Sequence, residues 1–173
     1  MLAVTHLVVS FLLIYIMSLD RNDTFIALMF GVFIDIDHLF GLKTYVDAHG
    51  VTSVLDFDAL TSADGQWKSM LHSPVAVMIV GPVATASRLA LPLVFWGAHI
   101  SMDFVEDAYL GLFSAWEMAL LVGSAAALLF LGFRKARASE PDVSFAGFLS
   151  RQCSSAVSPF RRFKRAVFGP LGQ

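Results

Sequence analysis

The chain has 173 residues, 57% of them hydrophobic and 15% charged, with a formal net charge of −2. Soluble domains average roughly 45–50% apolar and about 25% charged, so this composition excludes an ordinary soluble domain. Its one cysteine, Cys153, excludes an intramolecular disulfide and a thiolate-bound metal site.

The length predicts one folded domain and accommodates about five membrane-spanning helices of roughly 20 residues each. Apolar stretches at Leu2–Leu19, Thr24–Leu42, Pro74–Ser87, Leu89–Phe104 and Leu112–Phe133 predict those five. Met1 leads directly into the first of them without a basic flank or a small-residue cleavage site, so that stretch is expected to be a retained helix. Between the second and third lies a polar segment, Lys43 to Ser69, with DAHG, DFD and SADGQ, which predicts a loop or a short interfacial helix. Only Ala86, Ser87 and Arg88 separate the third stretch from the fourth, which leaves two tightly joined helices or one broken segment. The expected fold is therefore all-α, a polytopic membrane helix bundle over residues 1–133. A tail over 134–173 follows, in which basic residues interleave with Phe160, Phe163 and Phe168. That pattern suits an anionic membrane surface better than a nucleic acid, and a plain solvated tail is the bland alternative.

If successive helices alternate direction, the start of the first, the end of the second, the start of the third and the end of the fourth share one membrane face. Arg21, Arg88 and the Arg134, Lys135, Arg137 cluster then fall at the opposite face. The positive-inside rule makes that second face, with the tail, cytoplasmic, and places the polar cluster at the outer face of a multi-pass cell-membrane protein.

Four motifs meet at the shared face: Thr5-His6, Asp35-Ile36-Asp37-His38, Leu71-His72-Ser73-Pro74 and His99 to Asp103. Asp35 and His38 are three residues apart and His99 and Asp103 four, so on helices each pair projects from one side about a turn apart, within reach of one ion. Asp37 points away from Asp35 by about 200° on a continuous helix, which suits a supporting partner or a ligand of a second ion. Ser73 before Pro74 reads as a helix cap rather than a nucleophile. His6 alone reads as a packing histidine, His49 as a turn residue, and Asp56, Asp58 and Asp64 as solvated loop acids. As a set the buried groups read differently. Ionisable residues inside membrane helices need partners, and these stretches carry acids and histidines without matching Arg or Lys. Imidazole with carboxylate suits zinc, manganese or iron, and without thiolates a catalytic centre fits better than a structural clip.

In order and over about the first 110 residues, these four motifs resemble the membrane-bound metal-dependent hydrolases typified by a LexA-regulated bacterial inner-membrane protein. That family's pattern runs TH, D-x-D-H, H-R-G-x-T-H-S and H-x-x-x-D. The third motif departs here: WKSMLHS puts Trp67 at the first histidine, Lys68 at the arginine and Leu71 at the threonine. The resemblance implies a hydrolase, and the departure removes one expected ligand of a second ion unless His49, Glu106 or Asp107 replaces it.

The expected site therefore comprises His6, Asp35, His38, His72, His99 and Asp103 as ligands of one or two divalent ions, zinc before manganese or iron. Asp37 or Asp107 is the expected general base, and Lys68 would meet an anionic leaving group. Apolar walls at helix ends point to membrane lipids as surroundings and to a phospholipid or lipid-linked phosphoester as substrate, without nucleic acid. The alternatives are a transporter of protons or divalent ions and a non-catalytic scaffold held by a structural metal.

Overall fold

A computed structural model describes residues 2–37, 45–55, 70–110 and 114–168, and among them there is helix and no strand. The helices are α1 (Ala3–Ile16), α2 (Arg21–Gly31), α3 (Val77–Ala86), α4 (Leu91–Val105), α5 (Ala115–Ser139) and α6 (Phe145–Phe168). Each of the five apolar stretches thus forms a helix, and the fold is all-α as its composition predicts.

Helical length is where the structure departs from expectation. α1, α3 and α4 have 14, 10 and 15 residues, about 21, 15 and 22 Å at about 1.5 Å per residue, against about 30 Å of bilayer hydrocarbon. Among the described residues one helix, α5, is long and apolar enough to cross a membrane, so five full-length spans do not follow from these elements. Local backbone features account for the shortening. Ser18, in the left-handed region at φ 52°, turns the chain after α1. Asp20 then caps α2 by accepting hydrogen bonds from the Asn22 and Asp23 N–H groups, both at 2.9 Å. α2 gives way at Val32 to a 3₁₀ turn over Phe33–Asp37. Between α3 and α4, Leu89 and Ala90 both adopt positive φ, 56° and 49°, and reverse the chain within four residues. The third and fourth stretches are therefore two helices packed side by side.

The chain divides into two compact units, 1–126 and 127–173, with the division inside α5. In the first, α4 is central and packs on α2, α3 and α1. One apolar cluster joins Ile14, Ala27, Leu91 and Phe95, and a second joins Ile34, Ala76, Val80 and Trp96. In the second unit the end of α5 and α6 form a helical hairpin. Ser144 caps α6 through the Gly147 N–H at 3.1 Å, Phe148 is buried beside Phe133 and Gly132, and Arg151 pairs with Glu140 at 2.7 Å. The sequence after residue 134 is thus largely helical through Phe168.

Gly31, the last residue of α2, lies against both α1 and α4. A Cβ there would lie 2.6 Å from Ser10 Oγ on α1 and 3.1 Å from Phe95 Cδ1 on α4. The hydroxyl can swing away, but the Phe95 ring is fixed in the core. Gly31→Ala is expected to lower stability by about 1–3 kcal/mol, the usual cost of overpacking, measured as a shift in the unfolding midpoint of detergent-solubilised protein.

Candidate metal centre

The site is built around α4. His99 and Asp103, four residues apart, project from the same side of that helix, as their spacing predicts. Asp35 reaches them from the 3₁₀ turn after α2, and His72 from a 3₁₀ turn over Met70–His72 just before Pro74. That second turn is tied to α4 by Trp96, whose Nε1–H donates to the Leu71 carbonyl at 2.9 Å. Pro74 follows Ser73 at the first position of the next turn, and although Ser73 is extended as a cap residue, its hydroxyl makes no capping bond.

Four donor atoms converge. His99 Nε2 lies 3.1 Å from His72 Nε2, 3.1 Å from Asp35 Oδ1 and 3.3 Å from Asp103 Oδ2. His72 Nε2 lies 3.4 Å from Asp35 Oδ1 and 3.6 Å from Asp103 Oδ2. A tetrahedral ion with bonds of about 2.0–2.1 Å separates its ligand atoms by about 3.3 Å; these five distances lie near that value, and all four donor atoms lie within 4.8 Å of one another. The His72 and His99 side chains are 1% and 0% exposed, Asp103 9% and Asp35 22%, so the cluster opens toward Asp35.

The hydrogen bonds around the cluster direct its lone pairs inward. His99 Nδ1 is 3.1 Å from the Gly31 carbonyl, which can only accept, so Nδ1 carries a proton and the Nε2 of a neutral ring is a bare lone pair. It faces two carboxylate oxygens and a second imidazole. A proton placed among these atoms bridges two of them at a time, whereas one divalent cation satisfies all four. A neutral Nε2 ligand oriented by Nδ1–H on a carbonyl is the usual outer arrangement of metal-bound histidine. The donor set of two imidazoles and two carboxylates therefore fits a metal ion.

His6 stands beside these four rather than among them. Its Nε2 is 3.0 Å from Asp103 Oδ1 and donates to it, and its ring stacks on His99 with centroids 3.9 Å apart. Nδ1 is buried without a hydrogen-bond partner, as fits a neutral ring whose proton sits on Nε2. Asp103 thus uses one oxygen to hold His6 and turns the other inward.

The structure brings Asp35, His72, His99 and Asp103 together with His6 alongside, so all four motifs meet. Asp107 is exposed in the π-helical turn that follows α4, and Glu106 beside it is buried. His49 stacks on Tyr45 in a helical turn over residues 45–49. His38, Trp67, Lys68, Asp56, Asp58 and Asp64 lie outside the described residues, as does the side chain of Asp37. Two contributors are absent from the sequence reading. The Gly31 carbonyl has no side-chain signature, and Glu117, fully buried at the start of α5 and bonded to α1, is visible in sequence only as an acid opening an apolar helix.

The chain matches no family model, no curated protein and no solved structure.

This geometry has a direct consequence for metal content. The purified protein is expected to take up one equivalent of a divalent first-row ion and to unfold at a higher temperature when loaded, by about 2.7 kcal/mol of stability at an ion concentration one hundred times the dissociation constant. His99→Ala should abolish both effects in elemental analysis and thermal unfolding. His6→Ala, which removes only the support of Asp103, should leave the stoichiometry at one and weaken affinity by about 10- to 100-fold.

Proposed function

We propose that the protein is a membrane-embedded metal-dependent hydrolase that cleaves a phosphoester of a phospholipid or lipid-linked substrate. The observation that carries the reading is the buried tetrahedron of Asp35, His72, His99 and Asp103, open on the Asp35 side. The resemblance of the four motifs to the membrane-bound metal-dependent hydrolases supports it, since those motifs supply all four donors and the supporting His6.

The surroundings support a lipid setting. Large apolar side chains are exposed on every helix of the first unit, among them Phe11, Phe25, Met78, Val94 and Trp116, and Phe33 and Ile36 flank Asp35. Soluble monomers rarely expose contiguous apolar surface on that scale. In this reading the short helices are seated in lipid with α5 as the full-length span, and the site lies near the membrane interface where helix ends meet. By the positive-inside rule, this reading takes the end of α5 that bears Arg134, Lys135 and Arg137 as cytoplasmic and the metal centre as facing outward.

A bound divalent ion, zinc by preference for a tetrahedral site, would polarise a phosphoryl oxygen and acidify water. The chain's own residues set the conditions. Buried His72, His99 and Asp103 exclude solvent from three sides. Asp35, at the open edge, stands where a phosphoester and water enter. Asp107, exposed on the turn after α4, and Asp37 are the candidate bases, and Lys68 is the candidate partner of an anionic leaving group.

A second reading has its own observation: four protein donors complete a tetrahedron, which is characteristic of structural metals, whereas catalytic sites keep a position for water. Turnover distinguishes them. Zinc- or manganese-loaded protein in nanodiscs is expected to release inorganic phosphate from phosphatidic acid or a lipid diphosphate. Asp35→Ala should cut kcat at least about 100-fold while the protein still extracts as folded material. Stoichiometric metal without turnover on these substrates, together with unfolding on chelation, would establish the structural scaffold instead. Metal-dependent ion flux in loaded liposomes would establish transport.

A further inference from the structure

α1 begins without a cap of its own. Leu2, the residue before it, is extended at φ −62° and ψ 133° and makes no side-chain capping bond. The missing acceptor comes from 115 residues away: the Leu2 N–H donates to Glu117 Oε1 at 2.7 Å. The Thr5 hydroxyl donates to the same oxygen at 3.3 Å. Glu117 and Thr5 are both fully buried, and a carboxylate held at a helix amino terminus is favoured by the local N–H groups and the helix dipole.

The local sequence makes the arrangement pointed. Ser114-Ala115-Trp116-Glu117 has the form of a capping box, in which the glutamate turns back on its own helix. Its serine half is made, with the Glu117 N–H donating to Ser114 Oγ at 3.1 Å. The glutamate Oε1 crosses to α1. The residue after Thr5 is His6, which lies in the first turns of α1, where a helix without its cap frays. Loss of the Glu117 contact would therefore loosen α1 at the point where His6 holds Asp103.

We propose that Glu117 is a positioning residue of the metal centre, capping α1 from the start of α5 and thereby fixing where His6 presents its Nε2–H to Asp103. The proposal rests on the metal-binding reading above. It also gives the Thr5-His6 motif two distinct duties: Thr5 anchors the turn to Glu117, and His6 anchors Asp103.

The test uses full-length protein in detergent, zinc affinity by competition with a chromophoric chelator, and the visible absorption of the cobalt(II)-loaded form. Glu117→Ala is expected to weaken zinc affinity about tenfold and to alter the cobalt spectrum. Glu117→Gln, which retains an oxygen acceptor, should recover most of the loss. In a His6→Ala background Glu117→Ala should add nothing to the affinity loss, because its effect passes through His6. A Glu117→Ala protein with a lower unfolding temperature but unchanged zinc affinity and cobalt spectrum would reduce Glu117 to a packing residue and overturn the proposal, as would an additive loss with His6→Ala. If Glu117→Ala does not fold, Thr5→Val is read by the same two measurements, and no change in that variant is equally fatal. Failure of wild-type protein to bind zinc or cobalt at all would instead remove the metal centre itself, and the proposal with it.

Discussion

A neutral imidazole has one proton to donate, and in this fold His99 gives it to the carbonyl of Gly31. In the neutral ring the remaining nitrogen is a lone pair, directed at a second imidazole and two carboxylate oxygens in a buried space. That constraint organises the rest of the first unit. The carbonyl must sit within hydrogen-bond reach of α4, which requires α2 to pack against α4 at a residue without a side chain, and Gly31 is where a Cβ would meet Phe95 and Ser10. The carbonyl must also be available, and it is because α2 ends there: the last carbonyls of a helix lack intrahelical donors and carry the negative end of its dipole.

Helix interruptions that shorten the apolar stretches are thus the same features that assemble the donors. The end of α2 frees the Gly31 carbonyl and starts the 3₁₀ turn that carries Asp35. The turn before Pro74 presents His72, and Trp96 fastens it to the helix bearing His99 and Asp103. The reversal at Leu89 and Ala90, in a conformation that costs a non-glycine residue about 1–3 kcal/mol each, lays α3 against α4 and brings Ala76 and Val80 onto Trp96. A bundle of uninterrupted spans would leave these groups on helix faces, without the short turns that aim Asp35 and His72 inward.

How much of this was legible in the sequence follows from the range of each interaction. His99 and Asp103 were legible because their spacing is a helix period and both lie within one continuous helix. The meeting of the four motifs was legible from helix alternation and from the cost of burying acids and histidines. Helix lengths were not, because hydropathy reports where apolar residues lie and is blind to a left-handed Ser18 or to Val32 leaving the helical region at φ −137°. The division of labour between His6 and the four donors was equally hidden, since both roles call for a buried histidine near a carboxylate and only the 3.0 Å contact to the outer oxygen of Asp103 separates them. Glu117 was hidden for a different reason: its partner is 115 residues distant, and its local sequence already has a sufficient explanation as half of a capping box.

The uneven support of the two carboxylates bears on what the centre does. Asp103 is locked: one oxygen is held by His6, whose helix is in turn capped by Glu117, and the other faces the donors from a nearly solvent-free position. Asp35 sits on a short 3₁₀ turn with 22% of its side chain exposed, between the exposed Phe33 and Ile36. A purely structural metal does not require one ligand at an open, apolar-rimmed edge. On the proposed reading, a site that admits a lipid phosphoester uses that asymmetry: three buried donors would retain the ion, and the fourth stands at the boundary where coordination can expand from four to five. On the same reading, the chain of buried contacts from Glu117 through α1 and His6 to Asp103 fixes the buried side of the centre, and Asp35 forms its solvent-facing edge.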